Sequence, residues 1–226
     1  MTVLYEDNHL IIVNKAPGEI VQGDKTGDTP LTETVKAYLK EKYAKPGNVF
    51  LGVAHRLDRP VSGVVVFAKT SKALSRLCEL FRNGNVRKTY HALLPTADLR
   101  QPLPDEVTRL EHWLVRVEKQ NKSYVKPPHT PGAKQALLDC RRIGQSERYT
   151  LAEVHLHTGR HHQIRCQLAT TYAPIKGDLK YGARRSNPDG SICLHARSIA
   201  FEHPVSHEAI AVEAPYPDLP MWRFFE

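Results

Sequence analysis

One carboxylate in this 226-residue chain lies between two arginines, and its neighbours make it the best candidate for chemistry. Asp58 stands between Arg56 and Arg59 in the segment GVAHRLDRPVSG, just before an apolar run. Flanking guanidinium groups favour an ionised carboxylate, and they also attract phosphate groups. The segment therefore suits an anionic nucleophile that works beside a polyanion, although a structural Arg–Asp turn would give the same local pattern.

The net charge of the chain also favours a polyanionic partner. The chain has 32 Lys and Arg residues against 24 Asp and Glu residues, which gives a formal net charge of +8. Nucleic acid is a polyanion that such proteins bind, but a solvated basic surface would carry the same charge. The charge alone leaves both interpretations open.

The cysteines and the lengths of the apolar runs indicate the compartment. Four cysteines stand far apart, with no CxxC pair: Cys78, Cys140, Cys166 and Cys193. We expect them to be reduced thiols. The N-terminus has acidic residues where a secretion signal would be basic, and no stretch is long enough to span a bilayer. We therefore expect a cytoplasmic protein with no membrane partner.

Apolar runs bounded by turn residues predict the strands that position Asp58. The predicted strands cover residues 3–5, 10–14, 64–68, 86–94, 148–157, 192–201 and 210–213. The run 64–68 directly follows the Asp58 segment and is entirely apolar, which indicates burial on both faces. Residues 107–117 fit either a helix or a strand, and the basic, proline-containing stretch 119–134 is typical of a loop.

Three segments have the periodicity of helices. The first follows Thr29, a predicted N-cap, with Pro30 at the first helical position. The second is capped by Ser71 and stops at Gly84. The third covers residues 161–170.

Strands outnumber helices, and most connections are too short for a helical crossover. This pattern predicts an α+β fold with a mixed, mainly antiparallel sheet flanked by a few helices. The length fits one large domain or two small ones, and we expect a single domain over residues 1–226. Neither a GxGxxG nor a P-loop spacing occurs, so the sequence predicts no nucleotide cofactor.

The segment HRLDRPVSG resembles the HRLD-R-x-T-S-G signature of the RluA-type pseudouridine synthases. Further blocks similar to that family follow in the expected order, from about residue 3 to about residue 213: VNKAPG at 13–18, RKTYHA at 87–92, TGRHHQIR at 158–165 and GDLKYG at 177–182. The resemblance implies the bent-sheet pseudouridine synthase fold. It also implies an enzyme that isomerises specific uridines to pseudouridine in structured rRNA or tRNA.

The resemblance gives three residues roles in the reaction. Asp58 matches the carboxylate that enables cleavage of the uridine C1′–N1 bond, after which the base rotates and rejoins through C5. Tyr90 matches the tyrosine that packs against the target base, and Arg165 matches the arginine that pairs with the catalytic carboxylate. Attack on the sugar and formation of a glycal intermediate both stay open. The isomerisation needs no group donor or redox partner, so no metal or organic cofactor is implied.

The resemblance also implies contacts with a flipped nucleotide, because the reacting atoms cannot rearrange inside a stacked helix. Arg56 matches an arginine that enters the RNA stack beside that nucleotide. Four further basic residues are predicted phosphate contacts, although a generic basic surface competes with this interpretation: Arg59, Arg160, Lys176 and Lys180.

The chain departs from the family pattern at three positions. Val61, Ala16 and Gln167 stand where Thr, Pro and His are common, which weakens assignment to a subfamily more than the activity itself. The catalytic pattern begins at about residue 3, so we expect a stand-alone catalytic domain without the S4-like domain that is frequent in the family. A monomer is the simplest expectation.

Three alternatives belong to other functional classes. A metal-dependent hydrolase is suggested by four clustered histidines, His155, His157, His161 and His162, but no carboxylate stands at a familiar ligand spacing, so we predict no metal site. A non-catalytic RNA-binding module is disfavoured by the intact Asp58, Tyr90 and Arg165. A glycosidase normally requires two carboxylates, and only one lies in a strong motif.

Overall fold

The computed structural model describes residues 1–225 and separates them into two compact units. Unit 1 contains residues 1–87 and 196–215. Unit 2 contains residues 88–195 and the segment from Tyr216 onward. The expectation that residues 1–226 form a single domain stays a prediction.

Eleven strands and three α-helices lie within residues 1–225. The helices are α1 (Leu31–Lys42), α2 (Ser71–Arg82) and α3 (Gln163–Thr171). The strands are β1 (Thr2–Glu6), β2 (Leu10–Lys15), β3 (Gly52–Val53), β4 (Ser62–Ala68), β5 (Arg87–Pro95), β6 (Thr108–Val117), β7 (Lys122–Lys126), β8 (Lys134–Gln145), β9 (Tyr149–Leu156), β10 (Leu194–Glu202) and β11 (Ala209–Glu213).

The sheet of unit 1 is built around β4. Its strand order is β1-β2-β4-β10, with β3 paired to β4 and β11 paired to β10. The pairs β1–β2, β2–β4, β3–β4 and β10–β11 are antiparallel. Every residue of β4 is buried, and Val64 and Val66 belong to one core cluster with Ala73 and Leu77 of α2. The prediction that this strand is buried on both faces is therefore confirmed.

The sheet of unit 2 is an antiparallel series in the order β5-β9-β8-β6-β7. Buried and exposed residues alternate along β8, where Ala136, Leu138 and Cys140 face the core. On this face α3 packs through Cys166 against Ala136 and Leu114. The helix that contains Arg165 is thus held on the apolar face of the sheet.

These elements confirm the predicted α+β class with a mainly antiparallel sheet. Residues 107–117 are the strand β6, which decides between the two alternatives for that segment. The loop predicted for 119–134 is partly wrong, because β7 and the start of β8 lie there. Strand β7 pairs along its whole length with β6. Its buried residue is Ser123, which is polar, so the sequence shows no apolar run that would predict a strand.

The predicted helix starts need small corrections. Pro30 rather than Thr29 is the N-cap of α1, because the amides of Leu31 and Thr32 donate to backbone carbonyls of residues 20 and 21 and need no side-chain cap. Thr70 rather than Ser71 caps α2, where its hydroxyl accepts a hydrogen bond from the amide of Ala73.

Two further expectations concern the whole described chain. All four cysteines are free thiols, as expected. Within residues 1–225, no helix combines the length and the apolar character needed to cross a bilayer.

Candidate active site

Asp58 lies in the connection between β3 and β4 in unit 1. The amide of Val61 donates to the Asp58 carbonyl at 3.0 Å, which closes a turn at this point. The side chain of Asp58 is half-buried, and Leu57 beside it is buried in the core. The structure therefore places this carboxylate in a turn just before a buried strand, as the sequence predicts.

Lys15, at the end of β2, holds the backbone of this turn. Its ammonium group is fully buried and donates to the carbonyls of Val61 at 2.6 Å, Arg59 at 3.1 Å and Ala16 at 3.0 Å. Burial lowers the pKa of Lys15 to about 8, against the opposing effects of the Glu19 and Asp58 carboxylates. The block VNKAPG thus supplies a buried cation that fixes the chain just after Asp58.

Gly63 allows β4 to follow the turn directly. Its φ is +113°, and a Cβ atom there would come within 2.3 Å of the carbonyl oxygen of Ala196. Only glycine tolerates both the backbone angle and this close approach. His55, upstream of Asp58, accepts a hydrogen bond from the amide of Val66 at 3.1 Å and stacks on the ring of Phe81.

The two arginines that flank Asp58 have different surroundings. Arg56 is exposed, and its Nη1 lies 3.5 Å from Oε1 of Gln22. Arg59 instead contacts an acidic loop: its Nη2 lies 2.7 Å from Oδ2 of Asp28 and 2.8 Å from Oγ1 of Thr26. Of this pair, Arg56 therefore presents the more exposed cation.

Arg165, on α3 in unit 2, is held in a buried polar cluster. Its Nε and Nη2 donate to the two carboxylate oxygens of Asp178 at 2.7 Å and 2.9 Å. Its Nη1 lies 2.9 Å from Nε2 of His162, and its guanidinium carbon lies 5.2 Å from the centre of the Tyr181 ring. The arginine has a fixed rotamer, because Asp178, His162 and Tyr181 all contact it.

His162 is a neutral member of this cluster. Burial, reinforced by the positive charge of Arg165, lowers the pKa of His162 to about 2. A guanidinium can only donate, so Nε2 of His162 accepts from Arg165 and its proton is on Nδ1. That Nδ1 lies 3.1 Å from the hydroxyl oxygen of Tyr181, which in turn accepts from the amide of Ser123 at 2.9 Å.

Tyr90 is the third residue with a predicted reaction role. It lies on β5 opposite Val154 of β9 and is 8% exposed. Its strand is fixed further by His91, whose Nδ1 lies 2.6 Å from the hydroxyl of Tyr216. Tyr90 is therefore a buried aromatic ring on β5, the first strand in the sheet order of unit 2.

The other predicted phosphate contacts lie in two connections of unit 2: Arg160 between β9 and α3, and Lys176 and Lys180 between α3 and β10. Arg160 is exposed and donates from Nε to the carbonyl of Gln135 at 2.8 Å. Lys180 is exposed and donates to the carbonyls of Gln120 and Asn121 at 3.2 Å and 3.1 Å. Lys176 is half-buried, with its Nζ 3.5 Å from the carbonyl of Arg185.

The four clustered histidines have different polar partners, although the rings of His161 and His162 stack on each other. His155 lies 3.3 Å from Glu153, and His157 lies 2.7 Å from Asp139. His161 contacts Ser123, whereas His162 contacts Arg165. Among the described residues, no three His, Cys, Asp or Glu side chains are placed to share a metal ion.

The sequence reasoning missed the residues that support Arg165 and Asp58. Asp178, Tyr181 and Lys15 stand inside the motif blocks, yet no role was predicted for them. The one sequence signal for a supporting role was that each of them lies inside a motif block. Gln167, which replaces a common histidine, is fully buried and donates to the carbonyls of Leu110 and Ala136, each at 3.2 Å.

Comparison with known proteins decides the family. The family model described as RNA pseudouridylate synthase matches residues 9–170, which is most of the chain. The chain belongs to the RluA-type RNA pseudouridine synthases. The matched range includes Asp58, Tyr90 and Arg165 and runs through parts of both units.

This RNA pseudouridine synthase has named relatives across nearly its whole length. It is 31% identical to tRNA pseudouridine synthase C of Vibrio cholerae over 95% of the chain and 90% of that protein. It is 30% identical to ribosomal large subunit pseudouridine synthase D of Xanthomonas campestris over 96% of the chain and 66% of that protein. The predicted family is confirmed.

Solved structures agree on the fold of this pseudouridine synthase. The human protein RNA pseudouridylate synthase domain containing 4 aligns with a TM-score of 0.77 at 22% identity, covering 96% of this chain and 89% of that one. The predicted pseudouridine synthase fold is therefore confirmed.

Proposed function

We propose that this RNA pseudouridine synthase uses Asp58 as its catalytic carboxylate on specific uridines of structured tRNA or rRNA. The observation that carries the proposal is the buried ammonium of Lys15, which fixes the backbone carbonyls at positions 16, 59 and 61 around the signature turn. A reacting carboxylate needs such a fixed position, because small displacements from the reacting geometry reduce rates strongly.

The reaction is an isomerisation, so all atoms of the uridine are kept. The C1′–N1 bond breaks, the detached uracil rotates, C5 forms the new bond to C1′, and the proton of C5 is lost as N1 gains one. Asp58 acts either as the nucleophile at C1′ or as the base that takes a sugar proton. Arg165 is proposed to keep this carboxylate ionised, and Tyr90 is proposed to pack against the base.

Basic side chains are proposed to hold the RNA around the target nucleotide. Arg56 is the candidate for the RNA stack, because it is exposed and two positions from Asp58. The proposed phosphate contacts are Arg59, Arg160, Lys176 and Lys180, and the formal net charge of +8 supports them. Relatives named for tRNA and for ribosomal large-subunit RNA keep both RNA classes in the proposal.

We propose that residues 1–226 act as one catalytic domain, in the cytoplasm and as a monomer. The family match that runs through both units supports a single catalytic domain. An RNA substrate supports the cytoplasmic location. Light scattering of the purified chain tests this expectation, because a monomer has a mass of 25.5 kDa and a dimer has twice that mass.

A pseudouridine map tests the catalytic role of Asp58. Total RNA from cells that lack the gene is mapped after rescue with wild type, with Asp58→Asn or with Asp105→Asn. Asp105 is an exposed carboxylate that pairs with Arg142, so its variant controls for the change of charge. We expect wild type and Asp105→Asn to restore the missing sites and Asp58→Asn to restore none. Restoration by Asp58→Asn would favour a non-catalytic RNA-binding role.

A further inference from the structure

The guanidinium of Arg59 is held by a short polar loop of residues 24–28, here called the carboxylate loop. Nη2 of Arg59 lies 2.7 Å from Oδ2 of Asp28, 2.8 Å from Oγ1 of Thr26 and 3.6 Å from Oδ2 of Asp24. Asp24 also orders Thr26, whose amide donates to Oδ1 of Asp24 at 2.9 Å and whose hydroxyl donates to the same oxygen. Two carboxylates and one hydroxyl therefore surround a single nitrogen of Arg59.

The backbone of Arg59 is fixed while its side chain reaches into solvent. The carbonyl of Arg59 accepts from Nζ of Lys15 at 3.1 Å and from the amide of Gly18 at 2.8 Å. The side chain is 39% exposed, and those of Asp24 and Asp28 are 45% and 58% exposed. Any exchange of partners at this site therefore involves side chains at the surface and leaves the turn around Asp58 in place.

The contacts of Arg59 block the geometry that phosphate recognition uses. A guanidinium binds a phosphate with two parallel N–H groups, either from Nε and Nη2 or from Nη1 and Nη2. Both pairs include Nη2. Because Nη2 donates to Oγ1 of Thr26 and lies 2.7 Å from Oδ2 of Asp28, a phosphate can make a two-point contact with Arg59 only after it displaces them.

We infer that Asp24 and Asp28 act as phosphate substitutes that compete with RNA for Arg59 and thereby set the affinity of the enzyme for its substrate. The inference rests on the proposed function to the extent that Arg59 is taken as an RNA contact. Entry of an RNA strand exchanges the carboxylates of the carboxylate loop for a backbone phosphate on Nη2. Exposed ion pairs are weak, so the exchange lowers RNA affinity without preventing it.

Binding of poly(U) tests this competition. Poly(U) offers a uridine and a phosphate at every position, so it serves as the probe whichever RNA the enzyme modifies. The double substitution Asp24→Asn with Asp28→Asn keeps the size of both side chains and one acceptor oxygen on each, and removes their charge. We expect this variant to bind poly(U) about 2- to 10-fold more tightly than wild type at one fixed ionic strength.

A matched control separates competition from net charge. Asp105 and Asp218 are exposed carboxylates that pair with Arg142 and Arg223, so Asp105→Asn with Asp218→Asn changes the net charge equally. We expect this control to change poly(U) affinity less than the carboxylate-loop variant. We also expect the gain to disappear when Arg59→Gln is added to the carboxylate-loop variant.

Three results would overturn the inference. They are unchanged or weaker poly(U) binding by the carboxylate-loop variant, an equal gain in the control, and a gain that persists with Arg59→Gln. Weaker binding would show that the carboxylates orient Arg59 for RNA instead of competing with it. Binding needs no turnover, so these results are independent of the pseudouridine map, which alone decides the role of Asp58.

Discussion

Arg165 and Asp178 form a two-point ion pair in which both side chains are almost completely buried, at 5% and 1% exposure. A buried pair of this kind is not strong evidence of net stabilisation, because desolvation of the two charges offsets their attraction. Removal of one partner is different, since it breaks both hydrogen bonds of the pair inside the protein. The pair thus makes the arginine proposed for the reaction dependent on a residue 13 positions away.

Asp178→Asn removes one charge of this buried pair. We expect a loss of about 3–5 kcal/mol in the free energy of unfolding, because the substitution breaks a buried two-point ion pair. Urea denaturation with intrinsic fluorescence measures it. Asp105→Asn is the control, since it breaks an exposed pair with Arg142 and should cost much less. Equal losses in the two variants would contradict the importance of burial here.

His162 makes stability depend on pH in the acidic range. Its pKa is lowered from 6.5 to about 2 in the folded protein, so below pH 6.5 the unfolded chain binds a proton that the folded chain does not. Stability contributed by neutral His162 is therefore present above pH 6.5 and is lost progressively as the pH falls toward 2. This loss should reach about 2–3 kcal/mol at a pH two units below the unfolded value.

His162→Asn tests this dependence without disturbing the backbone. The residue has φ +52°, a left-handed conformation that asparagine tolerates, and the amide oxygen can accept from Arg165. Urea denaturation at neutral pH and at about pH 4.5 should show a smaller acid-induced loss for the variant than for wild type. Parallel losses in the two proteins would mean that His162 is protonated in the folded state.

Gly63 should tolerate no side chain. Gly63→Ala places a Cβ within 2.3 Å of the Ala196 carbonyl oxygen at a φ of +113°, so we expect a loss of at least about 3 kcal/mol in thermal or urea unfolding. Gly18→Ala is the matched control: its φ is +87°, but no atom lies within 4 Å of the added Cβ. Backbone strain alone should cost it about 1–2 kcal/mol. A similar cost at both positions would exclude the close approach as the cause.

Most of the fold could be predicted because the apolar pattern of each segment agrees with its burial in the folded protein. The apolar run of β4 is buried on both faces, and the strand predicted over residues 148–157 is β9. Strand β8 was missed although Ala136, Leu138 and Cys140 alternate as buried residues, since adjacent charged residues and the preceding Pro131-Gly132 turn weaken the pattern. The start of α1 depended on carbonyls of residues 20 and 21, which no local cap residue reveals.

The supporting residues of the candidate site were beyond local patterns. Lys15 contacts the carbonyl of Val61 across 46 positions, and its burial is unexpected for a lysine at a strand end. Likewise, the sequence predicts Arg59 only as a phosphate contact. Its ion pair with Asp28, a residue far from it in the chain, is revealed by the fold alone. Motif resemblance identified which residues to examine, and only packing showed what holds them.

Tyr90 separates a stacking role from a hydroxyl role in the proposed reaction. If its ring packs against the target base, Tyr90→Phe keeps that surface and should keep most of the activity. Tyr90→Leu removes it and should lower kcat/KM by about 10- to 100-fold, because base–aromatic stacking contributes about 1–3 kcal/mol. Single-turnover pseudouridine formation on the mapped RNA measures both, with circular dichroism to verify folding, since Tyr90 is buried. A larger loss in Tyr90→Phe than in Tyr90→Leu would assign the role to the hydroxyl instead.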